Sequence, residues 1–187
     1  MINKDKNKVQ IIARILGGVF VFILTFAFST LTYASEITPE NIVNAVNRER
    51  EINGLSPVIV SPQLQSAARK KSIDMIVRDY FDHYAFGLTP WSFIQNEGYN
   101  YSIAGENLAM GFSTAEGVVS AWMNSPMHRA NILNPEFQNI GVGVVMGSYT
   151  ENGQTNPTTM TTEMFATPKS KVSQLIDRVI ATLNKLF

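Results

Sequence analysis

Hydrophobic and polar positions along the chain follow two periods, preceded by one unbroken apolar run. Ile15 to Leu31 reads ILGGVFVFILTFAFSTL and carries no charge. Beyond it, Ile42, Val43 and Val46, with Ile52 further on, recur at helical spacing. Thr38-Pro39-Glu40 opens that helix with a capping hydroxyl, a proline at the first helical position and an acid in the first turn. Asn53-Gly54 ends it. LSPVIVSP reads as a short extended connection. Ser61-Pro62 opens a second helix with Leu64, Ala67, Ala68, Ile73, Ile76 and Val77 on its apolar side, running into the aromatic cluster DYFDHYAF. Thr89-Pro90-Trp91 starts a short third helix that stops at Gly98, and Tyr99 to Gly111 reads as irregular. Ser113 or Thr114 caps a fourth helix carrying Val118, Val119 and Trp122, which stops at Pro126.

After Asn134-Pro135 the period changes. IGVGVVMGSY reads as a strand rich in valine, with glycines where neighbours approach closely. Asn152-Gly153 is the strongest hairpin signal in the chain, and TTMTTEMFA returns with polar and apolar residues alternating. Helices first and a hairpin later predict an α+β fold with an antiparallel sheet. The tail KSKVSQLIDRVIATLNKLF returns to helical spacing, with Val172, Leu175, Ile176, Val179, Ile180, Leu183, Leu186 and Phe187 apolar. It carries four basic residues and one acid. Two readings fit it: a helix docked on the domain, or a basic amphipathic helix on a membrane surface or partner.

Charge separates the N-terminus from the rest. Lys4, Lys6, Lys8 and Arg14 precede the apolar run, and Thr32-Tyr33-Ala34 follows it. This is the pattern of a secretory signal cleaved after Ala34, or of an uncleaved membrane anchor. In both readings the remainder is exported, to the cell envelope or beyond. The net charge of zero therefore conceals an imbalance: residues 35–187 hold 11 basic and 14 acidic residues, and residues 35–168 hold 7 against 13. No nucleic-acid footprint exists in such a balance. The chain has no cysteine, which excludes disulfides, thiol catalysis and Cys-based metal sites. Its two histidines, His83 and His128, exclude a three-histidine metal site within one chain.

Four segments, DHYAFGLTPW, AGENLAMG, WMNSPMHRANILNPEF and IGVGVV, occur in this order. Together they resemble the bacterial branch of the CAP superfamily, the SCP-like extracellular proteins. That superfamily also includes animal cysteine-rich secretory proteins, insect-venom antigens and plant pathogenesis-related proteins. The resemblance covers about residues 40–167. It implies an α-β-α sandwich, with a central antiparallel sheet between helical layers, and a cleft lined by two histidines and two acids. Carried over by position, His83 and His128 match the histidines and Glu106 the first glutamate. Ser125 stands where many eukaryotic relatives have the second glutamate. Met127 replaces a usual glycine, and Glu163 stands where glutamine is more usual. The chain then divides into a signal or anchor at 1–34, a CAP-like domain at 35–168 and a basic amphipathic helix at 169–187.

Two imidazoles and one carboxylate could ligate Zn²⁺ or another divalent cation and leave an open position for water. Without a metal, a His–Glu pair could act as a general base. A buried His–Glu pair also serves as a polar network tying two loops together, and His128-Arg129 at a helix C-terminus would suit the helix dipole. Ser125 lacks the glycine pattern of a nucleophile elbow. These residues favour a binding or scaffold module, with an envelope polymer, a lipid or a protein as ligand. The alternatives are a metal-dependent, peptidase-like hydrolase and a lipid- or sterol-binding protein. Membrane contact is expected through residues 15–31 or 169–187.

Overall fold

The computed structural model describes residues 35–184. The signal or anchor expected at 1–34 lies outside the described residues. Four prolines stand at helix starts where the missing N–H leaves nothing unsatisfied. They open α1 (Pro39–Ile52), α2 (Pro62–Val77), α3 (Pro90–Asn96) and α5 (Pro126–Ile132). Thr38, Ser61 and Thr89 cap the first three through their hydroxyls, and Thr114 caps α4 (Ala115–Asn124). Pro126 thus begins a helix instead of only ending one. His128 sits in the first turn of α5, so the expected match to a helix C-terminus does not hold for it, whereas Arg129 falls in the last turn of this short helix.

The strands are β1 (Ile59–Val60), β2 (Tyr101–Met110), β3 (Asn139–Glu151) and β4 (Gln154–Pro168), in sheet order β1-β3-β4-β2. β3 and β4 form the hairpin announced by Asn152-Gly153, both of which have positive φ (51° and 78°), as a two-residue primed turn requires. Two expectations change. The sheet is mixed, because β1 runs parallel to β3. The segment read as irregular, Tyr99 to Gly111, contains β2, which pairs antiparallel with β4. Its glycine and two polar residues, GEN, masked a strand that is buried because helices cover both faces.

Alternation along the strands assigns the two faces. Ile140, Val142, Phe165 and Ala109 pack with α1 and α4 around the buried Trp122, whose Nε1–H donates to the Leu108 carbonyl at 2.9 Å. Met164, Ala166, Met160 and Leu108 face α2 and α3. The result is an α+β sandwich with helices on both sides of the sheet. α2 lies against the β3 backbone. A Cβ on Gly141 would fall 2.1 Å from the Leu64 carbonyl carbon, and one on Gly143 would fall 2.4 Å from that of Ala68.

The apolar stripes differ in detail from the sequence pattern. Ile52 and Val77 are exposed, whereas Arg50, Lys71, Ser72 and Met75 are buried. The C-terminal helix, α6 (Lys171–Leu183), buries no residue, so its apolar stripe does not pack on the domain. Among the described residues no helix is long and apolar enough to cross a membrane.

The close approach of α2 gives a direct test. Gly143→Ala forces backbone apart from backbone, and overpacking of this kind destabilises by about 1–3 kcal/mol or more. Urea denaturation should show a clear drop in midpoint. An unchanged midpoint would mean that α2 does not rest on Gly143.

Candidate functional site

Adjacent residues of β2 serve opposite faces of the sheet. Glu106 points to the α2 side and its side chain is 1% exposed. Its Oε1 accepts a hydrogen bond of 2.6 Å from Nδ1 of His83, which lies on the loop between α2 and α3 with 43% of its side chain exposed. Glu106 Oε2 is buried and has no hydrogen-bond partner among the described residues. The carboxylate raises the His83 pKa above its usual 6.5 through this hydrogen bond, against the opposing effect of burial. Burial raises the Glu106 pKa, partly offset by His83 and Lys71. Both shifts favour keeping a proton on this pair.

Lys71 sets the position of this loop. It is fully buried, and its Nζ donates to Tyr80 Oη (3.1 Å) and to the carbonyls of Asp82 (2.7 Å) and His83 (3.1 Å). Burial lowers its pKa, and the charge of Glu106 partly restores it. Tyr80 in turn donates to Asp74 Oδ2 at 2.7 Å, and burial together with that bond raises the phenol pKa strongly.

On the other face Asn107 joins strand to helix. Its Nδ2 donates to Glu163 Oε2 (2.8 Å) and to the His128 carbonyl (3.2 Å). Its Oδ1 accepts from Asn131 Nδ2 at 2.8 Å, and the same amide donates to the Glu106 carbonyl at 3.0 Å. Gly105 makes room for this: a Cβ there would meet Phe137 at 2.8 Å and Asn131 Oδ1 at 2.9 Å. Glu163 is wholly buried, its Oε1 has no partner among the described residues, and burial pushes its pKa up to about 8. His128 is half-buried; burial first, and then the charge of His83, hold its pKa below 6.5.

His83 and Glu106 thus meet directly, and His128 lies near enough to feel the charge on His83. Ser125 caps neither neighbouring helix with its side chain and hydrogen-bonds to neither histidine. No group of three or more His, Asp or Glu side chains among the described residues is arranged to hold a metal ion. In this arrangement His83 Nδ1 takes Glu106 Oε1, while Glu106 Oε2 is left without a partner.

Residues 43–164 match the family model described as CAP, the cysteine-rich secretory protein family. The chain belongs to the CAP family. It is 46% identical over 108 residues to the uncharacterised protein YkwD of Bacillus subtilis, covering 57% of this chain and 42% of that protein. An extracellular protein of Bacillus anthracis containing an SCP domain superposes with a TM-score of 0.59 at 27% identity, over 68% of this chain and 39% of the other. An outer surface protein of Borrelia burgdorferi also gives a TM-score of 0.59, at 23% identity, over 73% of this chain and 99% of the other. This last likeness concerns the fold alone. The chain spans about two fifths of the length of the two Bacillus relatives.

The CAP motifs located His83, Glu106 and His128, but Lys71, Arg50 and the partnership of Glu163 with Asn107 escaped the sequence reading. A signal existed. Lys71 falls on the stripe Leu64-Ala67-Ala68-Lys71-Met75, and Arg50 follows Val43 and Val46 on theirs. A charge at a stripe position is either misplaced or partnered. Arg50 is partnered: it donates to four backbone carbonyls, those of Ser56, Ile132, Asn134 and Phe137.

Two titrations follow. By NMR the His83 midpoint should lie above 6.5 in the wild type and fall in Glu106→Gln, where burial and Lys71 remain to oppose the charge. An unmoved midpoint would refute the pairing. Glu163 ionises at about 4.5 when unfolded and about 8 when folded, so folding retains its proton. Wild-type stability should therefore decline as pH rises from about 4.5 to about 8, and Glu163→Gln should lack that component. Parallel pH profiles would show that Glu163 ionises freely.

Proposed function

We propose that this CAP domain is an extracytoplasmic binding module whose ligand is an envelope polymer presenting ring faces and hydrogen-bonding groups. Residues 35–168 form the module, and residues 1–34 direct it out of the cytoplasm. The observation that carries the reading is the loop around His83. Phe81, Tyr84 and Phe86 are exposed to 39, 59 and 65% beside a half-exposed imidazole. Phe86 has φ of +54°, a conformation uncommon for a bulky residue. It is held there by an edge-on contact with Tyr80 (5.5 Å between ring centres) and by the Arg78 guanidinium 5.1 Å away. Exposed aromatics that are fixed in place lose little entropy on binding and offer flat apolar faces. His83, with Nδ1 engaged by Glu106, keeps Nε2 for a ligand. The groove of about 480 Å³ bounded by Thr38, Val43, Asn44, Val60 and Gln65 includes none of these residues, so a lipid reading draws no support from the His–Glu pair.

A hydrolytic reading has one observation in its favour. A buried carboxylate behind Nδ1 is the arrangement that makes Nε2 a general base. Ser125, the candidate nucleophile, bonds to neither histidine among the described residues, and the exposed aromatics beside His83 favour a binding face. Binding therefore takes precedence.

Co-sedimentation with purified, insoluble cell-wall glycan tests both. The wild type should pellet, and Tyr84→Ala/Phe86→Ala and His83→Ala should each remain largely in solution. Equal pelleting of all three would remove the binding proposal. Soluble fragments released by the wild type and absent with Glu106→Gln would establish hydrolysis instead.

A further inference from the structure

The apolar face of α6 is turned away from the domain. Val172, Leu175, Ile176, Val179, Ile180 and Leu183 are 49–69% exposed. At about 100° per residue they form one stripe roughly 140° wide. The half-buried positions are polar instead, Ser173 and Gln174, and Lys169, Gln174, Asp177, Arg178 and Ala181 share a depression with Asn100 of the domain. The Lys169 N–H donates to the Asn100 carbonyl at 2.9 Å, which fixes where the helix departs. A helix of 13 residues is marginal in water without a partner for its apolar face.

Charge indicates the partner. Lys171 and Arg178, two turns apart, border one edge of the stripe, and Lys169 stands at the helix start. The single acid, Asp177, lies beyond the other edge, and Lys169 Nζ pairs with it at 2.7 Å. The stripe is wider than the narrow seam of a two-stranded coiled coil, and it carries no interleaved acids to pair with the cations of a second copy. A wide aliphatic stripe with a basic border is the pattern of a helix lying in an anionic membrane surface. We propose that α6 docks this domain flat on an anionic bilayer, with Lys171 and Arg178 at the headgroups and the aliphatic stripe among the acyl chains.

Residues 34–187 form a compact unit that contains all three hydrophobic clusters, so the unit can be tested without the apolar run at 15–31. The chain has no cysteine, so Val179→Cys accepts a single polarity-sensitive fluorophore. Titration with vesicles of phosphatidylglycerol and phosphatidylcholine should blue-shift its emission. Vesicles of phosphatidylcholine alone should do so only at much higher lipid. Lys171→Gln with Arg178→Gln should weaken the anionic partition by about 30-fold, the combined effect of two cations near such a surface. Both side chains are exposed, so the double variant should fold normally. No shift with anionic vesicles overturns the proposal, as does equal binding to neutral ones. A shift that grows with protein concentration in the absence of lipid overturns it in favour of a second copy.

Discussion

Period-two alternation at one point of β2 holds the molecule together. Glu106 and Asn107 are neighbours in sequence and face opposite sides of the sheet. Through Glu106 the strand holds His83 and, by charge, Lys71 on the α2 side. Through Asn107 it holds Glu163 and the His128 carbonyl on the other. A slip of one residue in the pairing of β2 with β4 would exchange the faces and break both sets of contacts. Both helical layers are thus tied to β2, whose other edge has no paired strand among the described residues.

Buried polar groups need partners, and here the same partners shape the surface. Lys71 spends its hydrogen bonds on the chain that carries His83, and Arg50 spends its own on the chain entering and leaving the end of α5. Neither group reaches solvent, and both position loops that do. The two unpaired carboxylate oxygens, Glu106 Oε2 and Glu163 Oε1, lie on opposite faces of this arrangement, and burial raises both pKa values. Low dielectric, not any single neighbour, is the first cause in each case.

The exposed aromatic loop and the outward face of α6 have a different physical origin. Neither contributes to the core, and each leaves apolar area in water that an isolated domain gains nothing by exposing. Other apolar side chains such as Ile52, Val77, Met127 and Met146 are also exposed among the described residues, but these two groups are clustered and offer separate candidate contacts outside the buried polar centre.

By itself, the sequence determined the starts of α1, α2 and α3, the β3–β4 hairpin and the family motifs, because Thr-Pro, Ser-Pro and Asn-Gly act through local backbone geometry and need no distant partner. It also determined which histidines and which glutamate to consider. The tertiary structure alone decided that GEN lies in a strand, that β1 runs parallel and that Lys71 and Arg50 are buried. It also decided that His83 pairs directly with Glu106, and that α6 turns its apolar face outward. Each of these depends on which surfaces meet across the sheet, and a local sequence pattern does not contain that pairing.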